Sequence, residues 1–182
     1  MFAENLPIDV IRARESKWIE MLENFNEWMD RRFKKIKSRC RKGIPQSMRS
    51  RAWMHLTHAH ALKTNKPYYY KNCLDNVKKV DVNKYLEDIK KDLHRQFPSH
   101  EIFMKKEGRQ MLFNVLKAYA VHNKEVGYCQ AQGPIAALLL MHMPEEDAFW
   151  MLVRISDVYL KGYFKVCVFF KVHKTIYSVV PF

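Results

Sequence analysis

The residues in this chain best suited to chemistry are an aspartate and an arginine three positions apart, Asp92 and Arg95. Residues at this spacing are neighbours on a helix surface, so the Asp92 carboxylate can hold the Arg95 guanidinium in one orientation. Ile89 and Leu93 are four apart and share another face of the same helix. The alternative is an ordinary solvated ion pair, which contributes only about 0.3–0.5 kcal/mol.

The residues that follow Arg95 predict the end of this helix. Pro98 cannot continue a helix, and it favours extended backbone at the preceding Phe97. Arg95 would then lie near a helix C-terminus, beside a chain reversal, where it can be presented to a phosphate.

Gln130 is a second candidate, because the segment around it has unusual backbone requirements. Two glycines and a proline fall within residues 127–134, which indicates a loop. Pro134 then predicts the start of an apolar, central helix over residues 135–141. Gln130 would precede the positively polarised end of that helix, a setting that suits phosphate. The alternative is that Gln130 only caps or bridges the loop.

Composition indicates one domain with a substantial core. The chain has 182 residues, of which 48% are hydrophobic and 13% aromatic. The net charge of +13 favours an acidic partner, such as an acidic protein face, an anionic membrane or nucleic acid. Residues 1–5 do not resemble a signal peptide, and the apolar run at 135–141 is far shorter than the roughly 20 residues of a membrane-spanning helix. We therefore expect a soluble, cytoplasmic protein.

Cysteine and histidine spacing favours neither a disulfide framework nor a metal site. No two cysteines form a C-x-x-C pair, and reduced thiols are the simpler interpretation. His55, His58 and His60 lie close together, but no further ligand cluster follows, so they are interpreted as surface or capping residues. The four cysteines are Cys40, Cys73, Cys129 and Cys167.

Hydrophobic periodicity predicts helices along most of the chain. Residues 16–39 predict one amphipathic helix with a basic C-terminal end, either docked on the core or available to a membrane, calmodulin or nucleic acid. Residues 63–81 predict an irregular surface connection, with Asp81 capping a helix over 82–95. Ser99 is predicted to cap a short helix. Further helices are predicted to end near His122 and to run from Pro144 to about Leu160, whereas the residues after Phe164 are β-branched and aromatic.

Three stretches together resemble the TBC-domain family of Rab GTPase-activating proteins, in order and in spacing. Arg41-Lys42-Gly43-Ile44-Pro45 through Trp53 is similar to the opening motif of that family. Ile89-x-x-Asp92-x-x-Arg95 is similar to its arginine-finger motif, and Tyr128-Cys129-Gln130 to its glutamine-finger motif. Residues 125–150 most resemble the carabin-like subfamily. Ser50 stands where the family usually has glycine, and Ala131-Gln132-Gly133 replaces a common G-M-N.

The resemblance implies an all-α, multi-helix TBC-type domain that is incomplete at its C-terminus. Residues 1–40 would form the N-terminal amphipathic helix, 41–164 the N-terminal part of the domain and 165–182 an atypical apolar tail. Arg95 and Gln130 would be catalytic in trans, with Ile89, Asp92 and Tyr128 supporting the fingers. Residues of the opening motif would support the fold: Arg41, Gly43, Ile44, Pro45 and Trp53.

The resemblance further implies a Rab-family small GTPase as partner, in vesicle trafficking. GTP and Mg would belong to that partner, and the chain would hold no metal or cofactor of its own. Peripheral, transient contact with an anionic membrane is possible on this interpretation, and nucleic acid is disfavoured. Two alternatives stay open: a truncated, catalytically inactive interaction product, and a basic module that binds nucleic acid or anionic lipid.

Overall fold

The computed structural model describes residues 6–76 and 82–165, and every regular element in these ranges is helical. The predicted all-α class is confirmed. Asp81 as a cap and the apolar residues 166–182 lie outside the described residues. The chain divides into two compact units, one ending at Leu56 and one beginning at Thr57. The helices are α1 (Ile8–Glu23), α2 (Phe25–Arg41), α3 (Arg49–Leu56), α4 (Ala59–Asn65), α5 (Tyr69–Asp75), α6 (Asn83–Leu93), α7 (Glu101–Met104), α8 (Lys106–His122), α9 (Gln132–Leu140) and α10 (Glu145–Arg154).

The first unit contains two N-terminal helices, so the predicted single helix over residues 16–39 is wrong. Asn24 separates α1 from α2 with φ −120° and ψ 40°, which is not helical. The break lets the apolar faces of both helices join one cluster, which a single straight helix could not form with itself. That cluster contains Trp18, Met21, Leu22, Phe25, Trp28, Ile36, Met48 and Ala52.

The segment from Arg41 to Pro45 is a tight connection in the first unit. Gly43 has φ 90°, a left-handed conformation that only glycine adopts without strain. Arg14 of α1 donates from Nη2 to the Gly43 carbonyl at 3.0 Å, and also to the Lys42 carbonyl. Pro45 precedes a single 3₁₀ turn, Gln46–Met48, which leads into α3. The connection is thus held by a side chain from another helix.

The second unit is built around α8, which contacts α5, α6, α7, α9 and α10. Tyr119 of α8 and Phe149 and Trp150 of α10 are fully buried. The predicted irregular connection over residues 63–81 is wrong in its middle, because α5 is a helix. Tyr70 and Cys73 are buried there, and packing against α8 and α10 compensates for poor local helix propensity. None of the helices in the described ranges is long and apolar enough to cross a membrane.

Asp157 joins α8 to the π-helix Ile155–Tyr159 that continues α10. Its carboxylate accepts hydrogen bonds from Tyr119 at 2.9 Å and from Asn123 at 3.0 Å, and His122 Nε2 lies 3.0 Å from Oδ2. Burial alone would raise the pKa of Asp157, but the hydrogen bonds from His122, Tyr119 and Asn123 outweigh it, so the pKa is lowered. The ionised carboxylate is therefore part of the fold.

We expect Asp157→Asn to weaken the dependence of the free energy of unfolding on pH in the acid range. Because folding lowers the pKa of Asp157, its contribution is present above the pKa of an unfolded aspartate, about 3.9, and is lost as pH falls through the folded pKa. Urea titrations between neutral and acid pH should show a smaller change in the free energy of unfolding for Asp157→Asn than for the parent chain. An identical slope would contradict this role.

Gly108 provides a test of packing between α7 and α8. A Cβ there would lie 2.0 Å from the Ile102 carbonyl oxygen, a backbone atom that cannot move away alone. Although alanine is usually favoured over glycine in a helix by about 1 kcal/mol, we expect Gly108→Ala to destabilise the chain by about 1–3 kcal/mol. Glu107→Ala, at an exposed neighbouring position, is the control and should be near neutral in urea denaturation.

Candidate functional site

Asp92 is a buried charged residue on the helix α6. The apolar stripe of this helix includes Ile89, which is fully buried, and Asp92 follows it on the inward side with only 5% of its surface exposed. Burying a carboxylate is costly unless it is hydrogen-bonded and paired. The interpretation of Asp92 and Arg95 as an ordinary solvated pair is therefore wrong.

Both oxygens of the Asp92 carboxylate have partners. Oδ1 forms the ion pair with Nη2 of Arg95 that the spacing predicts, and Oδ2 accepts a hydrogen bond from the Tyr128 hydroxyl at 2.7 Å. Burial raises the pKa of Tyr128, so its phenol stays protonated and donates at neutral pH. One carboxylate thus joins the end of α6 to the loop that contains Gln130.

The Arg95 side chain is held by Asp92 and is otherwise exposed to solvent. This side chain is 54% exposed, whereas that of Asp92 is 8% exposed. The backbone N–H of Arg95 donates to the Asp92 carbonyl at 3.1 Å, which continues the last turn of α6. A guanidinium has five N–H donors, and the ion pair with Asp92 uses one on Nη2. The remaining donors can bind an external anion.

The chain reversal after Arg95 is present, but its conformation differs from the prediction. Phe97 is not extended; it has φ 44°, in the left-handed region, and is 41% exposed. The Phe97 carbonyl accepts from the His100 N–H at 2.9 Å, and His100 rather than Ser99 caps α7. A bulky residue in this region costs about 1–3 kcal/mol, which the hydrogen bonds of the turn must offset.

Gln96 is buried beside the Asp92–Arg95 pair, with 8% of its surface exposed. The sequence did not identify it as a candidate residue. Its Nε2 donates to the Asp92 carbonyl at 3.2 Å. Gly133, in the first turn of α9, lies against it, and a Cβ at that position would be 3.1 Å from Gln96 Cδ and Nε2. Gly133 therefore packs closely against the Gln96 amide, and a larger residue there would require that amide to shift by a few tenths of an ångström. The sequence pattern predicts Gly133 in the loop before Pro134, so it gave no signal for this contact.

Gln130 lies in a loop that is fixed on both sides of it. Before it, Gly127 has φ 59° and lies beneath the Tyr85 ring of α6, where a Cβ would be 2.1 Å from Cζ. After it, the fully buried Gln132, also missed from the sequence, accepts the Cys129 N–H at 3.0 Å through Oε1. Gln130 itself is exposed, and its side chain makes no hydrogen bond to the described part of the chain.

The apolar helix predicted after this loop begins two residues after Gln130, at Gln132. Its inner residues Ala136, Ala137, Leu139 and Leu140 are buried, so it is a core helix. Leu138 is 47% exposed, and the helix is therefore not covered on every side by the described residues.

The second unit thus contains all five predicted finger residues: Ile89, Asp92, Arg95, Tyr128 and Gln130. Asp92 links the two motifs directly. The opening-motif residues Arg41, Gly43, Ile44, Pro45 and Trp53 lie in the first unit. Across residues 6–76 and 82–165, no group of three or more His, Cys, Asp or Glu side chains is arranged to hold a metal ion.

Removing the Tyr128 hydroxyl should destabilise this arrangement. Tyr128→Phe leaves a buried carboxylate oxygen without its donor, and we expect a loss of about 1–3 kcal/mol in the free energy of unfolding. Tyr163→Phe, at a residue that is 56% exposed, should change it little. Urea denaturation measures both, and equal stability of Tyr128→Phe and the parent chain would show that the contact is not needed.

Comparison with known proteins is consistent with the geometry. The profile of the Rab-GTPase-TBC domain matches residues 46–169. The chain is 53% identical over 156 residues to TBC1 domain family member whacked of Drosophila melanogaster, covering 85% of this chain and 42% of the relative. It is 49% identical over 158 residues to carabin of Mus musculus, covering 86% of this chain and 35% of the relative. The chain thus spans less than half the length of these relatives.

A solved structure has the same fold. The TBC domain of a Chlamydomonas flagellar RabGAP superimposes with a TM-score of 0.63 at 27% sequence identity, covering 87% of this chain and 59% of the solved one. The predicted family resemblance is confirmed by the profile match and by these relatives. The chain belongs to the Rab-GTPase-TBC domain family.

Proposed function

We propose that this chain is a GTPase-activating protein for a Rab-type small GTPase, with Arg95 and Gln130 supplied in trans. The observation that carries the proposal is the Asp92 carboxylate, which contacts Arg95 through one oxygen and Tyr128 through the other. It orients the arginine and ties the loop of Gln130 to the same helix end. The names of the relatives, which include a RabGAP, support the choice of partner.

Arg95 would enter the partner's nucleotide site beside the GTP phosphates. Phosphoryl transfer spreads negative charge over the γ-phosphoryl oxygens, and a positioned guanidinium neutralises it. Orientation by Asp92 reduces the conformational entropy lost when the arginine engages the phosphates. An arginine supplied in this way accelerates hydrolysis by roughly 10³–10⁵-fold.

Gln130 would orient the attacking water on the γ-phosphate. Its amide offers one acceptor and two donors, which suits a water that must be held and polarised. The side chain is exposed, while its neighbours Tyr128 and Cys129 are buried. A free side chain on a fixed loop is the arrangement that this role needs.

The partner would supply the nucleotide and its Mg²⁺, because the sequence contains no P-loop motif. Ile89 would hold α6 in the core, and Asp92 and Tyr128 would position the two fingers. We expect the protein to act on the cytoplasmic side of vesicle membranes, where a Rab partner would be located.

Single-turnover GTP hydrolysis on a panel of GTP-loaded Rab proteins tests the proposal. We expect stimulation by residues 1–182, and loss of nearly all of it in Arg95→Ala and Arg95→Lys, since lysine lacks the planar guanidinium. Gln130→Ala should also reduce stimulation strongly, because water would lose its orienting amide. Arg12→Ala and Gln110→Ala remove exposed side chains of the same types and should retain activity.

Two results would reject the mechanism. Full stimulation by Arg95→Lys would show that the guanidinium is not used as a finger. Absence of stimulation by the parent chain on every Rab, with a cooperative thermal unfolding transition, would show that these folded residues are not a GTPase activator on their own.

A further inference from the structure

We propose that the C-terminal half of α2 binds an anionic lipid bilayer. Residues 31–42 contain eight cationic side chains and no carboxylate. All of them except Arg39 are exposed. The eight are Arg31, Arg32, Lys34, Lys35, Lys37, Arg39, Arg41 and Lys42.

The orientation of α2 is set by its apolar face. Residues 33–41 follow a break in helical geometry at Arg32 (φ −132°, ψ 24°), and Ile36, which is 2% exposed and belongs to the core cluster of the first unit, fixes which face of this segment is buried. The cationic residues therefore lie on the outer side of a docked helix. Because its apolar face is already buried, α2 cannot enter the hydrophobic groove of a calmodulin-type partner without leaving the core.

Three of the eight cations have partners within the unit. Arg31 pairs with Glu27 at 3.1 Å, and the guanidinium groups of Arg32 and Arg39 lie 4.8 Å and 4.4 Å from the centroid of the Trp28 ring. The other five make no ion pair with any described residue. These are Lys34, Lys35, Lys37, Arg41 and Lys42. They form a free positive surface that an anionic layer complements.

Phe33 distinguishes lipid from other polyanions. It is 53% exposed, lies between Arg32 and Lys34, and shares a face with Lys37 and Arg41 at steps of four. An aromatic side chain surrounded by cations on a helix surface suits the headgroup region, where the ring enters the acyl boundary and the charges meet anionic headgroups. Single-stranded nucleic acid is instead bound by several aromatic side chains that stack successive bases in a groove.

Vesicle binding tests the proposal with residues 1–182 and no GTPase. The probes are phosphatidylcholine vesicles with and without phosphatidylserine, at about 0.1 M salt, where the screening length is about 10 Å. We expect binding only to the anionic vesicles. Replacing Lys34, Lys35 and Lys37 with Gln should weaken it roughly 100-fold, since each cation near such a surface contributes roughly fivefold.

Matched variants test whether vesicle binding depends on the cations of α2 or only on the net charge of the chain. Lys71→Gln, Lys106→Gln and Lys161→Gln together remove the same charge from exposed positions of the second unit and should bind as the parent does. The Phe33→Gln variant should still bind anionic vesicles at low salt. Its binding at high salt should be lost, because the salt-resistant component of the affinity comes from the aromatic ring.

Several results would overturn the proposal: no binding to phosphatidylserine vesicles at low salt, unchanged binding by the α2 triple variant, or equal loss in the two triple variants. Tighter binding of a single-stranded RNA, lost in the α2 triple variant while vesicle binding persists, would assign the surface to nucleic acid. Because GTP hydrolysis in solution is measured separately, failure here would leave the proposed function untouched.

Discussion

The site depends on the burial of one carboxylate. Asp92 lies almost out of water, and a charge in that position must be paired and hydrogen-bonded or the fold loses several kcal/mol. Arg95, three residues later in the chain, and Tyr128, 36 residues later, satisfy its two oxygens. The energetic need to pair Asp92 therefore holds a helix end and a distant loop in one arrangement.

Unusual backbone conformations concentrate around this carboxylate. Phe97 is left-handed two residues after Arg95, and Gly127 is left-handed one residue before Tyr128. Gly133 lets α9 approach Gln96, which in turn donates to the carbonyl of Asp92. Strained or glycine-dependent positions persist only where surrounding contacts determine them, and they cluster at functional sites. Here they flank in sequence the two exposed side chains Arg95 and Gln130.

The exposed cations and the buried acid act in different ways. Asp92 fixes the geometry of one guanidinium through contact at short range, which salt screens little. The cations of α2 form a field on an outer surface, which salt screens strongly. On our proposals the first arrangement serves a chemical step on a partner's phosphate, and the second serves attachment to a charged surface.

Local sequence determined much of this protein. The steps of three and four in the apolar residues indicated most helices, and the spacing of Asp92 and Arg95 indicated their ion pair, because both depend on neighbours within one or two turns. The break at Asn24 and the helix Tyr69–Asp75 were decided by tertiary packing. The left-handed Phe97 belongs to a turn closed by the His100 N–H, whose shape the spacing did not predict. The burial of Asp92, Gln96 and Gln132 was decided in the same way, because their partners or packing neighbours lie across the fold or in a turn whose shape the spacing does not encode.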